Sequence, residues 1–253
     1  MLKRTLTAIV LIAIFAFAFY LGPTSLSYLI QFLILLAGYE VFRIKKDTWP
    51  ITVLLTVIIL LIGSNFMPES YMIPFVSITI FSFLFTAIFL ESVSLDDALL
   101  LFFMVIILSL AILSVRKILK LELVVFIYII IATYATDTFA YLGGSFFGKR
   151  KLIPRISPNK TIEGAIIGYV MSVILSLTFA KFYLNLEPAL IYTASFIIPI
   201  ISQLGDLTFS LIKRRYKIKD FGFILPGHGG ILDRIDSIVF SLLAFNMLLT
   251  ILG

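Results

Sequence analysis

Nine long apolar stretches divide the 253-residue chain and leave it few ways to fold. They run approximately over Thr5–Leu21, Ser25–Phe42, Pro50–Phe66, Ile73–Leu90, Ala98–Leu113, Leu123–Gly143, Glu163–Phe182, Ala189–Ile212 and Asp236–Leu252. A helix needs about 20 predominantly apolar residues to cross the hydrocarbon of a bilayer. The composition agrees: 61% of residues are hydrophobic and 13% charged, where a soluble domain has about a quarter charged. The expected fold is therefore all-α, a polytopic integral membrane bundle of about nine transmembrane helices. The opening Met1-Leu-Lys-Arg, followed by an apolar run with no evident small-residue cleavage site, reads as a first span that is retained.

Charge sets the expected orientation. With the N-terminus cytoplasmic, nine crossings put the loops Arg43–Asp47, Gly144–Lys160 and Lys213–Arg234 on the cytoplasmic side. Of the 20 Lys and Arg, only Arg116, Lys117, Lys120 and Lys181 then fall outside. The acidic loop Glu91–Asp97 also falls inside and weighs little in that rule. The net charge of +6 is read as this bias, and no nucleic-acid partner is expected. The chain has no cysteine, which excludes disulfides, thiolate metal sites and thiol nucleophiles. Residues 1–120 are nearly all apolar segments with short turns and read as scaffold. Residues 121–253 hold both long loops and the polar residues inside apolar runs, and read as the catalytic region of one integrated domain.

Two aspartates lie within apolar runs: Asp137 in IATYATDTFAYLGG and Asp206 in IISQLGDLTFSLIKRR. Ionisable groups in spanning helices are expensive and usually face a bundle interior or a water-filled cavity. Thr133, Tyr134, Asp137 and Tyr141 share one helical face, and Ser202, Gln203, Asp206, Ser210 and Lys213 form a second stripe. Both stripes end at the expected cytoplasmic side, which points to one polar chamber there. The plainer reading is that each aspartate bonds a neighbouring helix.

Asp233 and Asp236 stand three apart at the start of the last apolar run, where helix capping is the simpler role, above all for Asp236. With Asp206, Asp233 could offer carboxylate oxygens to Mg²⁺, which takes one or two carboxylates plus waters and substrate phosphates. One histidine and no cysteine are too few for a zinc site. Lys149, Arg150, Lys151, Arg155, Lys160, Lys213, Arg214, Arg215, Lys217, Lys219 and Arg234 crowd the same side as candidate phosphate ligands. The ordinary inside bias accounts for several of them; Lys160 and Lys213 stand out because each adjoins a polar helix end. GGSFFGKR, Gly143–Arg150, nearly spells a P-loop. It has Arg150 where a hydroxyl should bind magnesium, and a membrane helix where a strand should precede it. His228, the single histidine, lies between Gly227 and Gly229 and reads as a hydrogen-bonding loop residue before a general acid or base.

The segment SLIKRRYKIKDFGFILPGHGGILDRIDS, Ser210–Ser237, resembles the signature of phosphatidate cytidylyltransferases, the CDP-diacylglycerol synthases. The matching positions are Ser210, Lys213, Arg214, Lys219, Asp220, Pro226, His228, Gly229, Gly230, Asp233, Arg234 and Asp236. Two further segments, Asp137–Gly164 and QLGDL at Gln203–Leu207, are similar to the same family. The resemblance implies a transfer of the cytidylyl group from CTP to phosphatidate with Mg²⁺, potassium as a second cation, membrane lipids around the site and a homodimer. It implies Asp206, Asp233 and Lys213 as the catalytic set, with Asp206, Asp233 and Asp236 on the metal. It implies substrate contacts from Asp137, Ser157, Asn159, Lys160, Arg214, Lys219, His228, Gly229, Gly230 and Arg234. The expected location is the cytoplasmic (inner) membrane with the site facing the cytoplasm. Two alternatives share the layout. An ion-coupled transporter would also carry intramembrane aspartates, though no duplicated halves are visible. A CTP-dependent polyprenol or phytol kinase would use the same nucleotide differently.

Overall fold

The computed structural model describes residues 2–227 and 229–253, and the side chains of all of these except Leu2, Lys3, Arg4 and Glu69. Among the described residues there are nine α-helices: α1 (Leu2–Leu21), α2 (Pro23–Arg43), α3 (Ile51–Phe66), α4 (Met72–Phe89), α5 (Leu95–Leu121), α6 (Leu123–Phe147), α7 (Ile162–Tyr183), α8 (Pro188–Arg215) and α9 (Leu232–Leu252). A short hairpin, β1 (Lys151–Ile153) and β2 (Ser157–Thr161), lies between α6 and α7, and a single 3₁₀ turn (Glu69–Tyr71) precedes α4. All helices from α2 onward except α3 are long and apolar enough to span a membrane. The all-α, polytopic architecture expected from the apolar runs is the one found, and the chain is an integral membrane protein.

Several helix starts follow from local chemistry. Pro23 and Pro188 occupy first-turn positions, where a missing N–H is no loss. Ser94 and Asp97 form a reciprocal capping box at the start of α5, each backbone N–H donating to the other's side chain at 3.2 Å. The same Asp97 is salt-bridged to Lys45 at 2.9 Å. Three ends differ from the apolar pattern by four residues or more. α5 runs on to Leu121, because Arg116, Lys117 and Lys120 are good helix formers and Lys120 suits the negative end of the helix dipole. α6 continues through Gly143 and Gly144 to Phe147. α9 begins at Leu232, so Asp233 lies in its first turn.

The chain divides into two compact units: Met1–Arg116 with Asp220–Arg234, and Lys117–Lys219 with Ile235–Gly253. In the first, the loop Asp220–Arg234 is tied to the N-terminal helices. The Thr7 hydroxyl donates to the Pro226 carbonyl at 3.0 Å, and the Arg43 guanidinium sits 5.7 Å from the centre of the Phe223 ring. Within the loop, Leu225 and Gly229 exchange both backbone hydrogen bonds, closing a tight turn whose Gly227 and Gly229 have φ of 79° and 88°. Only glycine takes such angles without steric cost.

The second unit is organised by α6 against α7. Gly164, Gly168 and Ser172 on α7 face Thr136, Ala140 and Gly144 on α6, a four-residue spacing of small side chains on both helices. A Cβ added at Gly164 would lie 2.5 Å from the Ala140 carbonyl oxygen, and one at Gly168 would lie 2.6 Å from that of Thr136. The Ser172 hydroxyl donates to the Ala132 carbonyl at 2.6 Å. Close backbone approach through small residues, with hydroxyls bonding across, is how helices associate where no hydrophobic force separates lipid from side chain. This packing keeps the Gly143–Gly144 pair helical. Further along, Tyr128 and Ser195 share a 2.6 Å hydrogen bond, and the Phe209 and Phe240 rings meet edge to face.

Candidate active site

The polar residues of the second unit gather where α6, the hairpin, α7 and α8 meet. The hairpin is held from both sides. At the α7 end, Thr161 caps the helix, its hydroxyl accepting from the Gly164 N–H at 3.2 Å. Glu163 in the first turn accepts the backbone N–H groups of Lys149 and Arg150, each at 3.1 Å, and pairs with the Arg150 guanidinium at 3.2 Å. A carboxylate is favourable at that helix end, and here it also fixes the chain leaving α6. At the turn, Arg214 of α8 donates from Nε to the Ile156 carbonyl at 3.2 Å. The hairpin thereby presents Asn159 and Lys160 at a fixed height against the helices.

A cavity of about 440 Å³ opens there. Asp137, Ala140, Tyr141, Gly144 and Ser145 line it from α6, recurring at helical spacing on one face. Gln203 and Asp206 line it from α8, and Asn159, Lys160 and Thr161 from the hairpin. The two expected stripes thus reach one chamber, but only in part. Thr133 is buried and bonds back to the Ile129 carbonyl, and Ser202 bonds back to that of Pro199. Gln203 donates to the Ala165 carbonyl at 3.3 Å, which leaves its amide oxygen for other partners.

Charges pair across this chamber. The Lys160 ammonium is in direct contact with an Asp206 carboxylate oxygen. Asp137, Asp236 and Lys213 are its other charged neighbours. Burial pulls the Lys160 ammonium below the usual lysine range, Asp137 and Asp236 pull it back up, and Lys213 adds to the downward shift. The Ser237 hydroxyl donates to Asp236 at 3.4 Å. Asp236 is buried and accepts from the Ser237 backbone N–H at 2.8 Å. Lys213, also buried, sits in the last turn of α8, which closes as a Schellman motif. There the Ile218 N–H bonds the Lys213 carbonyl and the Lys217 N–H bonds that of Arg214, with Lys217 at φ 55°. Asp137, Lys160, Asp206, Lys213 and Asp236, read separately along the sequence, therefore belong to one cluster.

The remaining expected residues are described within their own elements. Ser157 opens β2 opposite Ile153, and Arg214 serves the hairpin turn. Lys219 is exposed at the end of its unit. Gly229 and Gly230 belong to the loop of the first unit, and Asp233 and Arg234 to the first turn of α9 in that unit. There an Asp233 oxygen accepts from Phe221 N–H at 2.9 Å and from Gly230 N–H at 3.3 Å, and Arg234 is exposed. His228 lies outside the described residues. Two functional-looking acids escaped the sequence reading. Glu163 passed as the polar start of an apolar run. Glu40, at the end of one, is fully buried against the Asp220–Arg234 loop. The signal for Glu40 was present as a lone acid inside the span, though its closeness to Arg43 made it look like a boundary residue.

Whether a hard divalent cation suits these residues is a question of donors. Every candidate donor in the cluster is a carboxylate, hydroxyl or amide oxygen, and Asp206 faces the cavity. Among the described residues no three acidic side chains converge as a ready-made cage. That composition fits a cation completed by phosphate oxygens and water.

Residues 2–252 match the family model described as the cytidylyltransferase family. The chain is similar to a phosphatidate cytidylyltransferase of Staphylococcus haemolyticus, 48% identical over 124 residues covering 49% of this chain and 48% of the relative. It is likewise similar to one of Staphylococcus aureus at the same identity and coverage. A third, from Staphylococcus saprophyticus, is 45% identical over 130 residues, 51% of this chain and 49% of the relative. The matched stretch thus spans about half the length of each of these relatives. Together with the family match over nearly its whole length, this places the chain: it belongs to the cytidylyltransferase family.

Proposed function

We propose that the protein transfers the cytidylyl group of CTP to phosphatidate, giving CDP-diacylglycerol and pyrophosphate. The observation that carries this reading is the chamber itself. Two carboxylates and one ammonium group line a cavity reached by both spanning helices and a polar hairpin, which suits one lipid and one water-soluble substrate. The relatives' shared name and the Ser210–Ser237 signature support the choice of nucleotide and lipid.

An oxygen of the phosphatidate phosphate attacks the α-phosphorus of CTP. The bond to the bridging oxygen of the departing pyrophosphate breaks, and the electron pair leaves with it. A lipid phosphate is already anionic near neutral pH, so no strong base is needed. The work of the site is then alignment and charge neutralisation. Lys160 and Lys213 are proposed to neutralise phosphate oxygens, helped by Asn159 and the exposed Arg214 and Lys219. Asp206 and Asp236 are proposed to hold Mg²⁺, with Asp233 as the further carboxylate that the signature implies. Bound there, the cation would neutralise charge developing on the leaving pyrophosphate. Asp137, a charged neighbour of Lys160, is proposed to orient that ammonium towards substrate. Potassium as a second cation, a homodimer and a cytoplasm-facing site in the inner membrane complete the proposal.

Purified protein in detergent, given Mg²⁺, labelled CTP and phosphatidate, is expected to form labelled CDP-diacylglycerol. Asp206→Asn is expected to lower turnover by about 10²–10³-fold, the range for removing one preorganised electrostatic group. Folded wild type that makes no product would sink the reaction. Full activity in Asp206→Asn would sink the role of that carboxylate.

A further inference from the structure

The acid at the end of α2 has work that the chamber does not explain. Glu40 is 0% exposed. Its Oε1 accepts the Ile231 N–H at 3.0 Å and its Oε2 the Leu232 N–H at 2.8 Å. Leu232 is the first residue of α9, so both donors are orphan amides at a helix start, where a negative charge is favourable. The neighbouring backbone is shaped to admit this carboxylate. A Cβ at Gly222 would lie 2.1 Å from Glu40 Oε1, and one at Gly230 would lie 2.7 Å from Oε2. Asp233 meanwhile accepts from Phe221 and Gly230. The three consecutive amides of Gly230, Ile231 and Leu232 are thus held by just two carboxylates.

A glycine-rich loop running into a helix N-terminus invites the reading of a phosphate cradle. Here the two amides that would make such a cradle already hold an internal anion. We propose that Glu40 is a positioning residue, an internal anion that clamps the Ile231 and Leu232 amides at the start of α9 and so sets the orientation in which Asp233 is presented. The closeness at Gly222 and Gly230 is a requirement of the Glu40 carboxylate. The part of this inference that concerns catalysis rests on the cytidylyltransfer reading above; the clamp does not.

The test uses the full chain in detergent. In Glu40→Gln, which keeps the side-chain volume, amide exchange in the peptide covering 221–232 is expected to quicken about tenfold while α6 and α7 keep their protection. The Mg²⁺ concentration for half-maximal activity is expected to rise about tenfold, with that for phosphatidate unchanged. Gly222→Ala is expected to impair the wild type strongly and to add little harm in a Glu40→Ala background. Unchanged exchange in the loop would overturn the clamp. So would faster exchange across the whole chain, which marks a merely structural residue. Equal harm from Gly222→Ala in both backgrounds would also overturn it, as would parallel shifts for Mg²⁺ and phosphatidate. If Glu40→Ala does not fold, the exchange and half-saturation arms in Glu40→Gln decide alone. A wild type lacking activity but showing Glu40-dependent protection would discard the reaction and keep the clamp.

Discussion

Lys160 and Asp206 answer each other's charge, and that pairing decides what a change at either does. An ammonium on the carboxylate competes with any cation for the same oxygen. Lys160→Met is therefore expected to lower the Mg²⁺ concentration needed for half-maximal activity while cutting turnover by about 10²-fold, since phosphate loses a counter-charge. Steady-state rates over a Mg²⁺ series would show both shifts, and a rise in the Mg²⁺ requirement would refute the competition. Asp137, Lys160 and Asp206 were legible in the sequence because an ionisable residue in or beside an apolar run is costly unless something uses it. Glu40 was not, because a residue near a span's end can be solvated by the interface. Only the fold shows that it meets the backbone of Ile231 and Leu232 instead.

Among the elements, the helices were readable and the connections were not. Apolar length marked all nine helices, since hydrocarbon tolerates little else over such runs. The β1–β2 hairpin left no pattern of alternation, being three and five residues long and held by Arg214 and the cap at Thr161. Glycine at 143 and 144 suggested a helix end, but packing against Gly164 and Ile167 overrode that local preference. The end of α8 offers a direct experiment. Lys217 holds a left-handed conformation at φ 55° where glycine is the usual occupant. Lys217→Gly is expected to stabilise the protein by about 1 kcal/mol, read as a higher thermal midpoint in detergent. A lower midpoint would show that the lysine side chain makes contacts worth more than the backbone strain.

For the whole molecule, orientation in the membrane is the next quantity to establish. The absence of cysteine makes single-cysteine labelling clean. Arg155→Cys and Lys217→Cys are expected to react with an impermeant maleimide only after the inner membrane is breached, and Lys181→Cys before it. The reverse pattern would invert the proposed topology. The chamber in the Lys117–Lys219 and Ile235–Gly253 unit has a further property at this scale. Asp137, Asp206 and Asp236, set against Lys160 and Lys213, leave the cluster one formal charge negative. A bound divalent cation would make it one positive. On the proposed function, a metal bound there would reverse the sign of this cluster's formal charge before a triphosphate meets it. Order of entry follows from that reversal: calorimetric binding of CTP is expected with Mg²⁺ present and lost in EDTA, and binding that survives chelation would show that the lysines suffice alone.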